Sequence, residues 1–246
     1  MSMFPTSMPG IGTALKLIPR TLFIMDTQTT MDFLPGGRII DGNAARDPDN
    51  TISVSELRPG LILGVITGSA NQAATLAIGA YGASVMGTLT AAATASTTAI
   101  VTNLATITEI KRRIGATGTI TLTGATSSTG TVVAQAVAYS GFSVGASSGT
   151  ITVGAVTLAL LAGSFIGAYD GTQTPVSILA GDVFPISAVD GTGASQLVPW
   201  RLVPITYKPY YTINIINYGA YASLKTWLKT QIRTGVPGAA FDDDIT

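Results

Sequence analysis

The sequence predicts a mainly β protein: a small β-barrel or sandwich core with an extended N-terminal arm, an inserted antiparallel β lobe and one C-terminal amphipathic helix. Three observations carry this prediction. Between Gly115 and Asp170 apolar and polar residues alternate with period two, in runs parted by Gly/Ser turns and without intervening helical periods. The first fifty residues are dense in turn formers. Helical spacing is clearest in one place, near the C-terminus, where Leu224, Trp227, Leu228 and Ile232 recur.

Residues 1–58 read as the arm. "LPGG", "DGN" and "RDPDN" favour turns over regular elements, and the short apolar piece Leu22, Phe23, Ile24 and Met25 has the composition of a strand that could join another sheet. The core is expected over 59–114 and 171–246. Pro59-Gly60 makes a turn and Leu61 to Thr67 reads as a buried strand. Short strands are expected through Met86. The Ala/Thr mixture that follows is ambiguous up to "ITEIKRRI", because alanine favours helix while threonine, valine and isoleucine favour strand.

The inserted lobe is expected over 115–170. "GTITLTG" alternates and ends at Gly124; "TGTVVAQAVAYSG" puts Val133, Gln135, Val137 and Tyr139 on one face and Val132, Ala134, Ala136 and Ala138 on the other; "GTITVGAVTL" supplies a third run. Three further strand candidates are "LAGDVFPISAVDG", "VPWRLVPITY" and "YTINIINYG". The helix closes the series, with Ser223 as its cap, Gly235 and Pro237 as its stop, and Lys225, Lys229 and Arg233 on a separate face.

Composition narrows the function. The chain has 246 residues, neither cysteine nor histidine, and 13 basic against 13 acidic side chains. Thiolate nucleophiles, Cys-type zinc sites and the usual neutral-pH general base are thereby excluded. With zero net charge there is no basic field to gather phosphates, so nucleic acid is not an expected partner. The most apolar window, Ile151 to Tyr169, is β-branched at its start and broken by three glycines, so no membrane span is expected. The N-terminus lacks the charged lead of a signal peptide, and the chain is expected to be made and used without export.

A surface so poor in charge suits a protein whose surface is largely covered in an assembly. Seven of the charged residues fall between Arg38 and Arg58: Arg38, Asp41, Arg46, Asp47, Asp49, Glu56 and Arg58. The Asp-Gly and Asp-Pro pairs read as turns, and neither a calcium loop nor a carboxylate pair has the required spacing. No cofactor, metal or catalytic residue is predicted. "EIKRRIG" is the dense basic cluster, in which Lys111, Arg112 and Arg113 read as a solvated segment or as a contact to an acidic partner. Trp200 and Arg201, with Tyr207, Tyr210 and Tyr211, form an aromatic group of the kind enriched at interfaces.

"LPGGRIIDGNAARDPDNT", "LRPGLILGVIT", "KRRIGATGTITLTG", "AGSFIGAYDGTQTP" and "LAGD" together resemble the head decoration, or cement, proteins of tailed bacteriophages. The resemblance spans roughly residues 31 to 185. It implies a virion protein on the outer capsid surface, made in the host cytoplasm, that binds the expanded shell, clamps neighbouring major capsid subunits and forms a dimer or trimer. The lobe at 115–170 departs from the smaller proteins of that kind. On this reading Leu22, Phe23, Ile24, Arg38, Arg46, Asp47, Asp49, Glu56 and Arg58 are expected to touch the capsid, and Lys111, Arg112, Arg113, Trp200 and Arg201 a second copy. A receptor- or glycan-binding fibre module is the alternative, and an enzyme stands behind both.

Overall fold

The computed structural model describes residues 38–47, 56–58, 60–69, 71–73, 75–179, 184–185, 197–200, 210–211, 218–235 and 239–241; residues 38, 56, 184–185, 197–200, 210–211 and 240 are described as backbone alone. In chain order the elements are β1 (Arg38–Asp41), β2 (Glu56–Leu57), β3 (Ile62–Val65), β4 (Tyr81–Ala83), β5 (Gly87–Thr88), β6 (Ala99–Asn103), α1 (Leu104–Arg113), β7 (Gly118–Gly124), β8 (Val133–Val144), β9 (Ser148–Val153), β10 (Phe165–Ala168), β11 (Ser177–Ile178), β12 (Phe184–Pro185), β13 (Leu197–Trp200), β14 (Tyr210–Tyr211), α2 (Ala222–Gly235) and β15 (Ala240–Phe241). The protein is mainly β with a C-terminal helix, as the sequence predicts, and one sheet is strongly curled into a half-barrel.

The larger sheet runs β5-β10-β7-β8-β9-β6, with every pairing antiparallel. Its two ends approach each other: the isolated bridge Leu89↔Thr102, the Thr90 N–H to the Val101 carbonyl and the Thr102 hydroxyl to the Thr88 carbonyl join the β5 end to β6. That leaves neither outer strand as a long open edge. Inside lie Met86, Leu89, Ile100, Ile120, Leu122, Val137, Tyr139, Ile151, Val153 and Ile166. The alternation seen in the sequence is the physical cause, since Ile120 and Leu122 on β7 face the same interior as Val137 and Tyr139 on β8.

Helix α1 packs on this interior with Ile107, Ile110 and Ile114. Asn103 starts it, its side-chain oxygen accepting from the Thr106 N–H at 2.7 Å, and the chain leaves it through Gly115 at φ +126, a backbone conformation glycine adopts without strain. The sequence left this segment unresolved between helix and strand; burial of its isoleucine stripe settles it as helix. The sheet also extends past the expected 115–170 boundary, because β5, β6 and α1 precede Gly115 yet belong to the same body.

The second sheet runs β11-β3-β4-β1-β13, with β1 parallel to β4 and the other pairs antiparallel. Its residues Ile40, Leu61, Leu63, Ala83 and Leu179 form one cluster with Leu57. Because β1 sits between β4 and β13, residues 38–41 belong to this sheet, and the expectation of an arm reaching to residue 58 is corrected there. Helix α2 buries Leu224, Leu228 and Ile232 against Ile62, Phe165, Ile178 and Phe241. It begins one residue before Ser223, whose N–H donates to the Ser128 carbonyl. Lys229 is buried with its ammonium over the Phe241 ring, where the sequence placed it on a separate face.

The apolar window from Ile151 to Tyr169 contains the end of β9 and all of β10. No helix among the described residues is long and apolar enough to cross a membrane.

Candidate functional site

The charged segment that the sequence offers as a surface contact turns largely inward. At the end of β1 the Asp41 carboxylate accepts the N–H groups of Asn43 and Ala77, each at 2.8 Å, while the Asp41 carbonyl accepts those of Ala44 and Ala45. An aspartate here fixes the turn with its own side chain. The Arg46 guanidinium donates to the Gly42 and Ala45 carbonyls of the same turn. Asp47, wholly buried, receives Arg58 in a two-pronged ion pair, with Nη2 to Oδ1 at 2.7 Å.

Burial, reinforced by the nearby charge of Arg112, lowers the Arg46 pKa to about 10. The expectation that Arg46 and Asp47 make capsid contacts is therefore corrected, because both are buried in the fold; Arg58, partly exposed, pairs with Asp47. Turn formation and local ion pairing thus engage Asp41, Arg46, Asp47 and Arg58, the four charged side chains of this segment that are described.

The basic cluster on α1 divides in a similar way. Arg113 follows Ile110 by three residues and so shares its inward face. Its Nη2 reaches Asp170 Oδ2 at 2.6 Å and the Thr172 hydroxyl at 2.7 Å, and its Nη1 donates to the Ala83 carbonyl at 2.9 Å; both ion-pair side chains are fully buried. Thr172 completes the knot by donating to Asp170 Oδ1. Gly171, at φ +102, makes the tight turn between them. Arg113 thus ties α1 to β4 and to the chain after β10, and its expected role as a contact to a second copy is corrected.

Arg112 pairs with Glu109 through two nitrogens and donates to the Asn43 carbonyl. Lys111 is the exposed member, its ammonium 5.0 Å from the centre of the Phe142 ring. Leu22, Phe23, Ile24, Asp49 and Arg201 lie outside the described residues. Arg38, Glu56 and Trp200 are placed by backbone register alone, Arg38 opposite Trp200 and Glu56 opposite Pro185.

What the surface offers in place of the charged segment is the outward face of the curled sheet. Along β8 the burial alternates, with Gln135, Val137 and Tyr139 inward and Ala134, Ala136, Ala138 and Ser140 outward. Thr152 on β9 and Ala99 on β6, directly paired, continue the same exposed face. No protein-family model, curated protein or solved structure matches this chain. From residue 59 to residue 169 the charged residues are Glu109, Lys111, Arg112 and Arg113, all on α1, so the face contributes no charge. The alternating alanines of "VVAQAVAYS" were the signal for it in the sequence.

The inner end of β8 is held by Gln135, whose Oε1 accepts the Thr157 N–H at 3.0 Å and whose Nε2 donates to the Leu158 carbonyl at 3.0 Å. The side chain thereby ties the start of β8 to the chain that follows β9. Tyr139 donates its hydroxyl to the Gly115 carbonyl at 2.8 Å, and burial pushes its pKa up to about 12.

Proposed function

We propose that the protein is a structural virion component that binds the outer surface of an expanded tailed-phage capsid and stabilises it by clamping neighbouring major capsid subunits. The observation that carries this reading is the uncharged, small-residue face formed by β8, β9 and β6. Covering such a face desolvates few polar side chains, so a large contact can form without stranding a buried charge. A free protein gains little from it. An enzyme is the weaker reading, since the sequence has neither the histidine that usually serves as general base at neutral pH nor a cysteine nucleophile.

The test is co-sedimentation with empty expanded capsids. Wild-type protein is expected to pellet in a fixed ratio to coat subunits, and Ala136→Lys, which sets a charge in the middle of the exposed face, is expected to pellet at about a tenth of that ratio or less. Wild-type protein that stays in the supernatant overturns the function, and Ala136→Lys binding unchanged overturns the face as its seat. A truncation removing residues 1–36 leaves β1 whole and asks separately what the preceding segment adds.

A further inference from the structure

We propose that β8 pairs with β8 of a second copy of this chain, edge to edge, along Ser140–Val144. This inference goes beyond the capsid reading and does not rest on it. The starting point is a mismatch in strand length: β8 is 12 residues long, and its pairing with β7 ends at Gly118↔Tyr139, whereas its pairing with β9 continues to Val144↔Gly149. Among the described residues the backbone of Ser140–Val144 therefore finds no partner on the side away from β9. Such an edge is a template for another strand.

The usual guards against strand addition are thin. No charged residue and no proline occurs from Gly115 to Tyr169, and the sole irregularity at this edge is the register shift between Tyr139 and Gly141. Val144, at the end of this edge, is 56% exposed. The turn beyond it is closed by the Gly145 N–H to the Ser148 carbonyl and does not cover it.

The occupant follows from the parity of the strand. Phe142 and Val144 face the α1 side, as their partners Ile151 and Gly149 show: Ile151 is wholly buried in the barrel interior, and a side chain at Gly149 would run into Ile107. An antiparallel two-fold pairing centred on Ser143 sets the Val144 of each copy directly opposite the Phe142 of the other, on that same side. Exposed apolar surface is then covered by its own complement. Centring on Phe142 would stack the two rings and draw together the two Lys111 ammonium groups that lie over them; centring on Ser143 spaces them. A strand carrying an acidic residue is the competing occupant.

Five residues a side make a small contact, so the dimer is expected to be weak in free solution and to fill when copies are held side by side. The chain has no cysteine, which gives cross-linking a silent background. The experiment is Ser143→Cys under mild oxidation, read on a non-reducing gel, with Thr152→Cys on the outer face as the control. Antiparallel neighbours lie about 4.5 to 5.5 Å apart at Cα, within the disulfide range. A covalent dimer is expected from Ser143→Cys at least about tenfold more abundant than from the control, and lost in Ser143→Cys/Val144→Lys. A dimer yield equal to the control, or one indifferent to Val144→Lys, overturns the pairing. Far-UV circular dichroism of Val144→Lys, expected to be native, shows that its loss of dimer is not a loss of fold.

Discussion

Replacing Asp170 by asparagine tests how the two sheets are held together. The substitution keeps the size of the side chain and removes its charge, leaving Arg113 buried with hydrogen bonds to Thr172 and Ala83 but no counter-ion. Stranding one member of a buried pair costs about 3–5 kcal/mol. The upper half of that range is expected here, because both side chains are fully buried and no solvent screens the remaining charge. Among the described residues the Arg113 Nε has no partner, so the guanidinium has little with which to compensate. Arg113→Met alone leaves the Asp170 carboxylate buried with the Thr172 N–H and hydroxyl, at a similar cost. Combining Arg113→Met with Asp170→Asn removes both charges, so the double variant is expected to lose less than the sum of the two singles by about 2 kcal/mol or more. The assay is urea unfolding at pH 7 for the four proteins of the cycle. Single losses below about 1 kcal/mol, or strict additivity, would refute the claim that this pair ties α1 to β4 and to the chain after β10.

Two further outcomes follow from the same packing. Tyr139→Phe loses one hydrogen bond and is expected to be about 1 kcal/mol less stable at pH 7. The folded pKa of Tyr139 is raised to about 12 from 10.0, so the unfolded tyrosine ionises first; wild-type stability is lost between those values, by about 2 kcal/mol at pH 12, and the phenylalanine variant escapes that loss. The two unfolding curves should therefore cross near pH 11, and parallel curves would show that Tyr139 ionises at its ordinary pH. Asn103→Ala removes the oxygen that accepts from both the N–H and the hydroxyl of Thr106, and should cost about 1 kcal/mol in thermal or urea unfolding. No measurable change would mean that the start of α1 is fixed by packing alone.

The β architecture was legible because alternation on β7, β8 and β9 is imposed by a closed interior, which punishes any slip of register. Helix α1 was not, since Leu104 to Arg113 interleaves Thr106, Ile107, Thr108 and Ile110 with good helix formers, and what decides its state is the burial of Ile107 and Ile110 against strands remote in sequence. The charged segment misled for a different reason. Sequence shows that Asp41, Arg46, Asp47 and Arg58 are close along the chain, but not that Asp41 caps a turn or that Asp47 and Arg58 consume each other. Nor could sequence reveal the partner of Arg113, which lies 57 residues further on at Asp170. Conversely, the outward alanines of β8 were visible as a pattern, and their meaning as an uncharged face came from knowing which side was inside.

The central claim is that this protein works by covering a viral shell, and the most direct measurement is its stoichiometry in purified tailed-phage particles, by quantitative mass spectrometry before and after protease shaving of intact virions. The account predicts a fixed ratio to the major capsid protein and removal of the chain by shaving. Absence from the particles, or a chain protected from protease inside them, would contradict it.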